Sequence, residues 1–179
     1  QSSAEELKNM IANIIDVTNS SQTLQPHLTN VTLSELILQV WQSYAVLLQE
    51  RQINGHLYLP DCNVVIQTDV MLLKRMLENY LSNAIRFTPR QGRLLLRCDV
   101  QADAVTVQVE NSGVAISEQL LPVLFETYHR GQKDNGYHNG LGLAFCRLAA
   151  QTLRGTVGAE NLPGQGVRFI RSTRVFSGF

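Results

Sequence analysis

In the stretch LENYLSNAIRFTP, Asn79 and Asn83 stand four residues apart and Arg86 follows three later. On a helix, residues at i, i+4 and i+7 share one face. An amide pair on such a face suits a hydrated magnesium ion, which takes oxygen ligands and keeps several of its waters. Farther on, ENSGVAI puts Asn111 and Gly113 at the end of a strand-like run. A backbone without a Cβ can approach a flat ligand closely there. Arg130 follows the aromatic pair Phe125 and Tyr128 and supplies a cation for phosphate. NGLGLAF then sets Gly140 and Gly142 at a helix start, where free N–H groups and the helix dipole favour phosphate. Metal ligand, base contact, phosphate cradle and cations are together the parts that bind a magnesium nucleotide.

Elements with the right periodicity surround these residues. Asp69 caps an expected helix that turns Leu73, Leu77, Tyr80, Leu81 and Ala84 inward and so carries the two asparagines outward. RLLLRCDV and AVTVQVEN read as a hairpin, the second run alternating Val105, Val107 and Val109 with polar residues. Upstream, Thr32 and Glu35 form a capping box. It opens a helix whose inner face runs through Leu33, Leu36, Ile37, Val40, Trp41, Tyr44, Leu47 and Leu48. GHLYLPDCNVVIQTD reads as two short strands around a Pro-Asp turn, and SEQLLPVLFETYHRG as a short helix. LGLAFCRLAAQTL is helical, and GTVGAEN and VRFIRSTRV are strands about the turn PGQG. The pattern is an α+β fold with helices on one face of a mixed sheet. Ahead of it, Leu7, Met10, Ile11, Ile14 and Ile15 make a narrow stripe suited to a helical bundle, followed by a linker around Pro26.

Bulk properties narrow the function. Fifteen basic and fifteen acidic residues cancel, which argues against a general nucleic-acid or membrane-surface binder. The three cysteines (Cys62, Cys98 and Cys146) have no metal spacing and no disulfide framework, so a reducing cytosol is expected. No apolar run approaches the roughly 18 residues that span a bilayer. With neither an initiating Met nor a signal pattern, the chain reads as a piece of something longer.

From about residue 30 onward the chain resembles the catalytic and ATP-binding domain of sensor histidine kinases, in the GHKL ATPase superfamily. LENYLSNAIRFTP is similar to that family's asparagine-bearing helix. VENSGVAI stands where Asp-x-Gly-x-Gly is expected, LFETYHR where Phe-x-x-Phe-x-Arg is, and HNGLGL where Gly-x-Gly-x-Gly-Leu is. The resemblance implies a two-layer α/β sandwich of the Bergerat type over residues 32–179. It also implies a linker at 24–31, with the second helix of a dimerisation hairpin over 1–23. Carried over by position, Asn83 ligands magnesium, with Asn79 near the metal and phosphates. Arg86 meets phosphate, Phe87 flanks the nucleotide, Asn111 faces the adenine amino group, and Arg130 reaches the terminal phosphate. Gly140 and Gly142 open the lid's helix onto the phosphates, and Gly113, Ile116, Leu141 and Leu143 are further nucleotide-binding candidates. Asn79, Arg86 and Arg130 are then the catalytic candidates. Asn79 replaces the Glu with which hydrolytic members of the superfamily activate water, and an amide cannot take that proton. The implied cofactors are ATP and Mg2+. The implied partners are a response regulator, the chain's own dimerisation hairpin and a second copy, with the parent protein cytoplasmic or anchored in the inner membrane.

The chain departs from the family pattern at Asn111 for Asp, Ala115 for the second glycine, His138 for the lid's first glycine, and Val167 where a hydroxyl often stands. Retained binding with a weakened rate is the expectation. The alternative is a degenerate domain that senses nucleotide or binds a protein without phosphotransfer. A serine kinase of the anti-sigma-factor type is disfavoured by the opening helix. None of His27, His56, His129 and His138 has the setting of an acceptor histidine, so the acceptor is expected outside this chain.

Overall fold

A computed structural model describes residues 25–101, 104–126, 141–164 and 166–174. The stripe of residues 7–15 lies outside them. Among the described residues, seven strands and four α-helices follow in the order β1 (Thr29–Thr32), α1 (Leu33–Ser43), α2 (Ala45–Glu50), β2 (Asn54–Tyr58), β3 (Val65–Thr68), α3 (Val70–Phe87), β4 (Arg93–Gln101), β5 (Ala104–Asn111), α4 (Leu141–Thr152), β6 (Gly155–Leu162) and β7 (Gly166–Arg174). Five strands make one mixed sheet in the order β2-β4-β5-β7-β6, with β2 parallel to β4 and the other pairs antiparallel. β1 and β3 form a separate antiparallel pair.

Alternation sets the two faces of the sheet. In β5, Val105, Val107, Val109 and Asn111 are buried, while the residues between them are half-buried. Cross-strand neighbours share a face, so Leu94, Leu96 and Cys98 of β4 and Val167, Phe169 and Arg171 of β7 join this inner side. The helices cover it. The expected α+β architecture, with helices on one face of a mixed sheet, is the one observed.

The helix α3 forms where expected, for local reasons. Asp69 is its N-cap and accepts from Leu72 N–H at 3.0 Å. Its buried stripe runs Leu72, Leu73, Met76, Leu77, Tyr80, Leu81, Ala84 and Ile85. At the far end the Thr88 hydroxyl donates back to the Ala84 carbonyl at 2.6 Å, and Pro89 bars a further turn. The other carboxylate oxygen of Asp69 accepts from the His27 N–H at 2.8 Å, which ties the lead-in of β1 to the start of α3.

Four local expectations change. Residues 29–31, assigned above to the linker, belong to β1, with Val31 opposite Ile66. Thr32 is the N-cap of α1 but makes no side-chain cap. As a strand residue opposite Val65 it is committed to β1, and Leu33 N–H is taken by the Val64 carbonyl at 2.9 Å. The helix expected from Thr32 to Leu48 is interrupted at Tyr44, giving α1 and α2. In the described part of SEQLLPVLFETYHRG there is one 3-10 turn, Leu121–Val123, and no α-helix. Its bonds step back three residues, as in Val123 N–H to Leu120 O and Glu126 N–H to Val123 O, and Pro122 has no N–H to extend the ladder.

Burial of titratable groups under α3 predicts alkaline lability. Desolvation, aided by Asp99, pushes the Cys98 thiol up to about 12, and burial drives the Cys146 thiol and the Tyr80 hydroxyl upward as well. In the unfolded chain thiols ionise from about pH 8.5. The stabilisation from neutral buried thiols is therefore complete below that pH and is lost as pH rises toward the folded values. Urea unfolding under reducing conditions should show stability nearly level from pH 7 to 8, then falling by about 3 kcal/mol by pH 10. A flat profile to pH 10 would contradict the burial of these thiols.

Candidate functional site

The ends of several elements converge at one edge of the sheet. β5 finishes there at Asn111, which lies opposite Leu94 of β4 and Val167 of β7, and Val167 in turn lies opposite Asn161 of β6. The far edge holds Gly155 and Thr173. Since α4 ends at Thr152, three residues before Gly155, its first turn points back toward the Asn111 edge. The C-terminus of α3 reaches the same edge, because the Phe87 carbonyl packs against the Cα of Gly113. The last turns of α3, the first turn of α4 and the loop after β5 thus surround one place.

Each side chain takes its position from these elements. Asn79 and Asn83 are half-buried at the margin of the α3 stripe, and Arg86 is exposed beyond them. Four residues before Asn79, the Arg75 guanidinium lies 4.1 Å over the Phe145 ring of α4, so this margin of α3 faces α4. The Arg86 guanidinium sits 5.6 Å from the Phe87 ring centroid, and Phe87 is half-buried at the end of the helix. Glu78 belongs to the neighbouring row of α3, where its carboxylate stands 4.0 Å from Lys74.

At the base end, Asn111 is 3% exposed, and its side-chain nitrogen has no hydrogen-bond partner among the described residues. A buried unpaired amide is costly and marks a group available to a ligand. Gly113 is enclosed between the Phe87 carbonyl and the Asn111 amide, so any Cβ would overlap both. Ile116 is buried behind them. On α4, Gly142 is half-buried in the first turn and Leu143 is buried. Leu141 begins the helix. Arg130, Tyr128, His138 and Gly140 fall outside the described residues.

Ser112, Gly166 and Asn161 escaped the sequence reading, as did the part played by the Phe87 carbonyl. Ser112 hydrogen-bonds with the start of β4 twice: its N–H donates to the Arg93 carbonyl at 2.9 Å and its hydroxyl accepts from Arg93 N–H at 2.8 Å. Gly166, at φ 117°, lets β7 pass beside the Asn111 carbonyl where a Cβ could not fit. The Phe87 carbonyl and Asn161 hold the loop from two other sides. Only the PGQG turn hinted at any of these.

Residues 68–174, more than half of the chain, match the family described as histidine kinase-, DNA gyrase B-, and HSP90-like ATPases. The chain belongs to this family. Among curated relatives of this GHKL domain, it is 30% identical over 176 residues to the sensor histidine kinase CusS of Escherichia coli strain CFT073, covering 94% of this chain and 36% of CusS. It is 34% identical over 141 residues to the sensor protein CreC of Escherichia coli K12, covering 78% of this chain and 29% of CreC. The chain thus spans about a third of the length of these relatives. Among solved structures, the catalytic domain of histidine kinase ThkA superposes with a TM-score of 0.75 at 26% identity, covering 83% of this chain and 96% of that one. Full-length ShkA in complex with AMPPNP shares the fold at a TM-score of 0.81 and 23% identity, covering 99% of this chain and 38% of ShkA. Among the described residues, no helix is long and apolar enough to cross a membrane.

Proposed function

We propose that this chain is the ATP-binding catalytic part of a two-component sensor histidine kinase, which passes the γ-phosphoryl group of ATP to a histidine on a dimerisation hairpin. The observation that most favours this reading is the convergence of the Asn79–Asn83 margin of α3, the unpaired Asn111 amide and the first turn of α4 at one sheet edge. The Asn111 side-chain oxygen would accept a hydrogen bond from the adenine amino group and its unpaired nitrogen would donate to a ring nitrogen of the base, with the base lying along Gly113 and Ile116. Among the described residues no group of three His, Cys, Asp or Glu could hold a metal. Magnesium would come with the nucleotide, held by Asn83, the phosphates and water. Asn79 would sit near metal and phosphates without activating water, which preserves ATP for transfer. Arg86, Arg130 and the Gly140–Leu143 turn would meet the phosphates.

The catalytic domain would begin with β1 at Thr29, with the residues from 24 up to it as linker and 1–23 as a hairpin helix. A response regulator would receive the phosphoryl group, and the parent protein would work as a homodimer on the cytoplasmic side, free or anchored. The test is calorimetry of ATP with and without magnesium, followed by labelled phosphate transfer to a separately supplied dimerisation hairpin. Micromolar, magnesium-dependent binding and acid-labile label on the hairpin are expected. No heat with ATP up to millimolar concentration would defeat the proposal.

Asn111→Asp tests the base contact. It replaces a neutral acceptor by a charged one, a gain of about 1 kcal/mol in the hydrogen bond and roughly fivefold in affinity. The same carboxylate would be buried without a partner in the free domain, so its thermal midpoint should fall while ATP affinity rises. Weaker binding at pH 7.5 would show that Asn111 does not face the amino group.

A further inference from the structure

The loop that follows β5 has no regular structure of its own, yet it must present Asn111, Gly113 and Ile116 together. Its first half is held by contacts nearby in space: Ser112 to Arg93, and Gly113 against Phe87. Its second half is held by one side chain. Asn161, 45 residues away on β6, accepts from the Ile116 N–H at 2.9 Å through Oδ1 and donates to the Ile116 carbonyl at 2.7 Å through Nδ2. The amide thus copies the two-bond pairing of a strand neighbour. Exposed Val114 and Ala115 lie just before this clamp.

Asn161 sits in the cross-strand row Asn111–Val167–Asn161. Both ends of the loop are therefore referred to one line across the sheet, Asn111 through its own backbone and Ile116 through the Asn161 side chain. Only an amide offers an acceptor and a donor at this spacing. A carboxylate lacks the donor, and a hydroxyl presents one atom where two are needed.

We infer that Asn161 is a positioning residue for nucleotide binding, setting the distance between Asn111 and Ile116 so that a purine fits between the loop and α3. The inference rests on the nucleotide reading of this site and adds to it a residue that touches no ligand. Its effect belongs to the base end, so it acts on ADP and ATP alike.

The experiment measures ADP and ATP affinity with magnesium for the wild type, Asn161→Ala and Asn161→Asp, together with thermal midpoints and amide exchange at Ile116. Asn161→Ala should weaken both nucleotides by the same factor, about tenfold for two lost hydrogen bonds, and speed exchange at Ile116 while β4–β5 amides stay protected. Asn161→Asp should weaken both by at least as much at pH 7.5. It should recover toward the wild type as pH falls through the carboxylate range, because the protonated acid regains a donor. A purely structural role would not produce that pH profile. Wild-type affinity in both variants overturns the inference, as does a loss confined to ATP or Ile116 exchange equal to the wild type. If the wild type itself binds neither nucleotide, the function proposed above falls and this inference with it; if only the variants behave as wild type, the function stands.

Discussion

Asn83→Ala is expected to weaken ATP binding in magnesium by about 10–100-fold, the loss of one contact to a charged group, while binding in excess EDTA stays within about twofold. The contrast follows from the proposed chemistry. Asn83 would supply one oxygen to the metal, and the metal would hold the phosphates, so removing the amide should remove what magnesium adds and leave the adenine contacts intact. Phosphate transfer to a hairpin supplied in trans should fall at least as far. Folding should be nearly indifferent, since Asn83 is half-buried at the margin of α3 and alanine favours a helix. Calorimetry in the two buffers decides it. Equal losses with and without magnesium would make Asn83 a nucleotide contact, and no loss in either would remove it from the site.

Arg171→Met is expected to raise stability by about 1–3 kcal/mol, or several degrees in thermal midpoint for a domain of this size. Arg171 stands on the inner face of β7, opposite Val107 of β5 and Val157 of β6, and is 1% exposed. Its Nε and Nη1 find no hydrogen-bond partner among the described residues. Desolvation lowers its pKa to about 10, with Tyr80 the lesser, opposing influence. A buried cation so poorly matched costs more than the packing of its stem returns, and methionine keeps an unbranched stem of similar length. The sign of the pH dependence gives a second check. The cost of the charge is complete below the folded pKa and disappears as pH rises from about 10 toward the unfolded value. The advantage of Arg171→Met should therefore shrink above pH 10. A lower midpoint at pH 7.5 would show that the guanidinium is held by contacts worth more than its desolvation.

Order and chemistry along the chain were enough to specify the architecture. Apolar period 3.6 over 70–87 and period 2 over 104–111 act within one element, where side-chain direction follows from backbone geometry alone. For the same reason Asp69 could be read as a cap and the PGQG turn as a hairpin. The four motifs also announced a nucleotide site, because each carries its chemistry in a few adjacent residues.

Other features depended on partners remote in sequence. Thr32 had every local mark of a capping box, but it stands opposite Val65 as the last residue of β1 and makes no side-chain cap. Arg171 follows the inward alternation of Val167 and Phe169, and only the packing of α3 and α4 over that face made the position a burial site for a charge. Asn161 looked like one more polar residue before a turn. It became the holder of Ile116 because sheet pairing brings the end of β6 beside the loop after β5, across 45 residues of chain. Local periodicity can name which side of an element is apolar; it carries no information about which distant group will meet a given donor or acceptor, and that pairing is where the shape of this site was set.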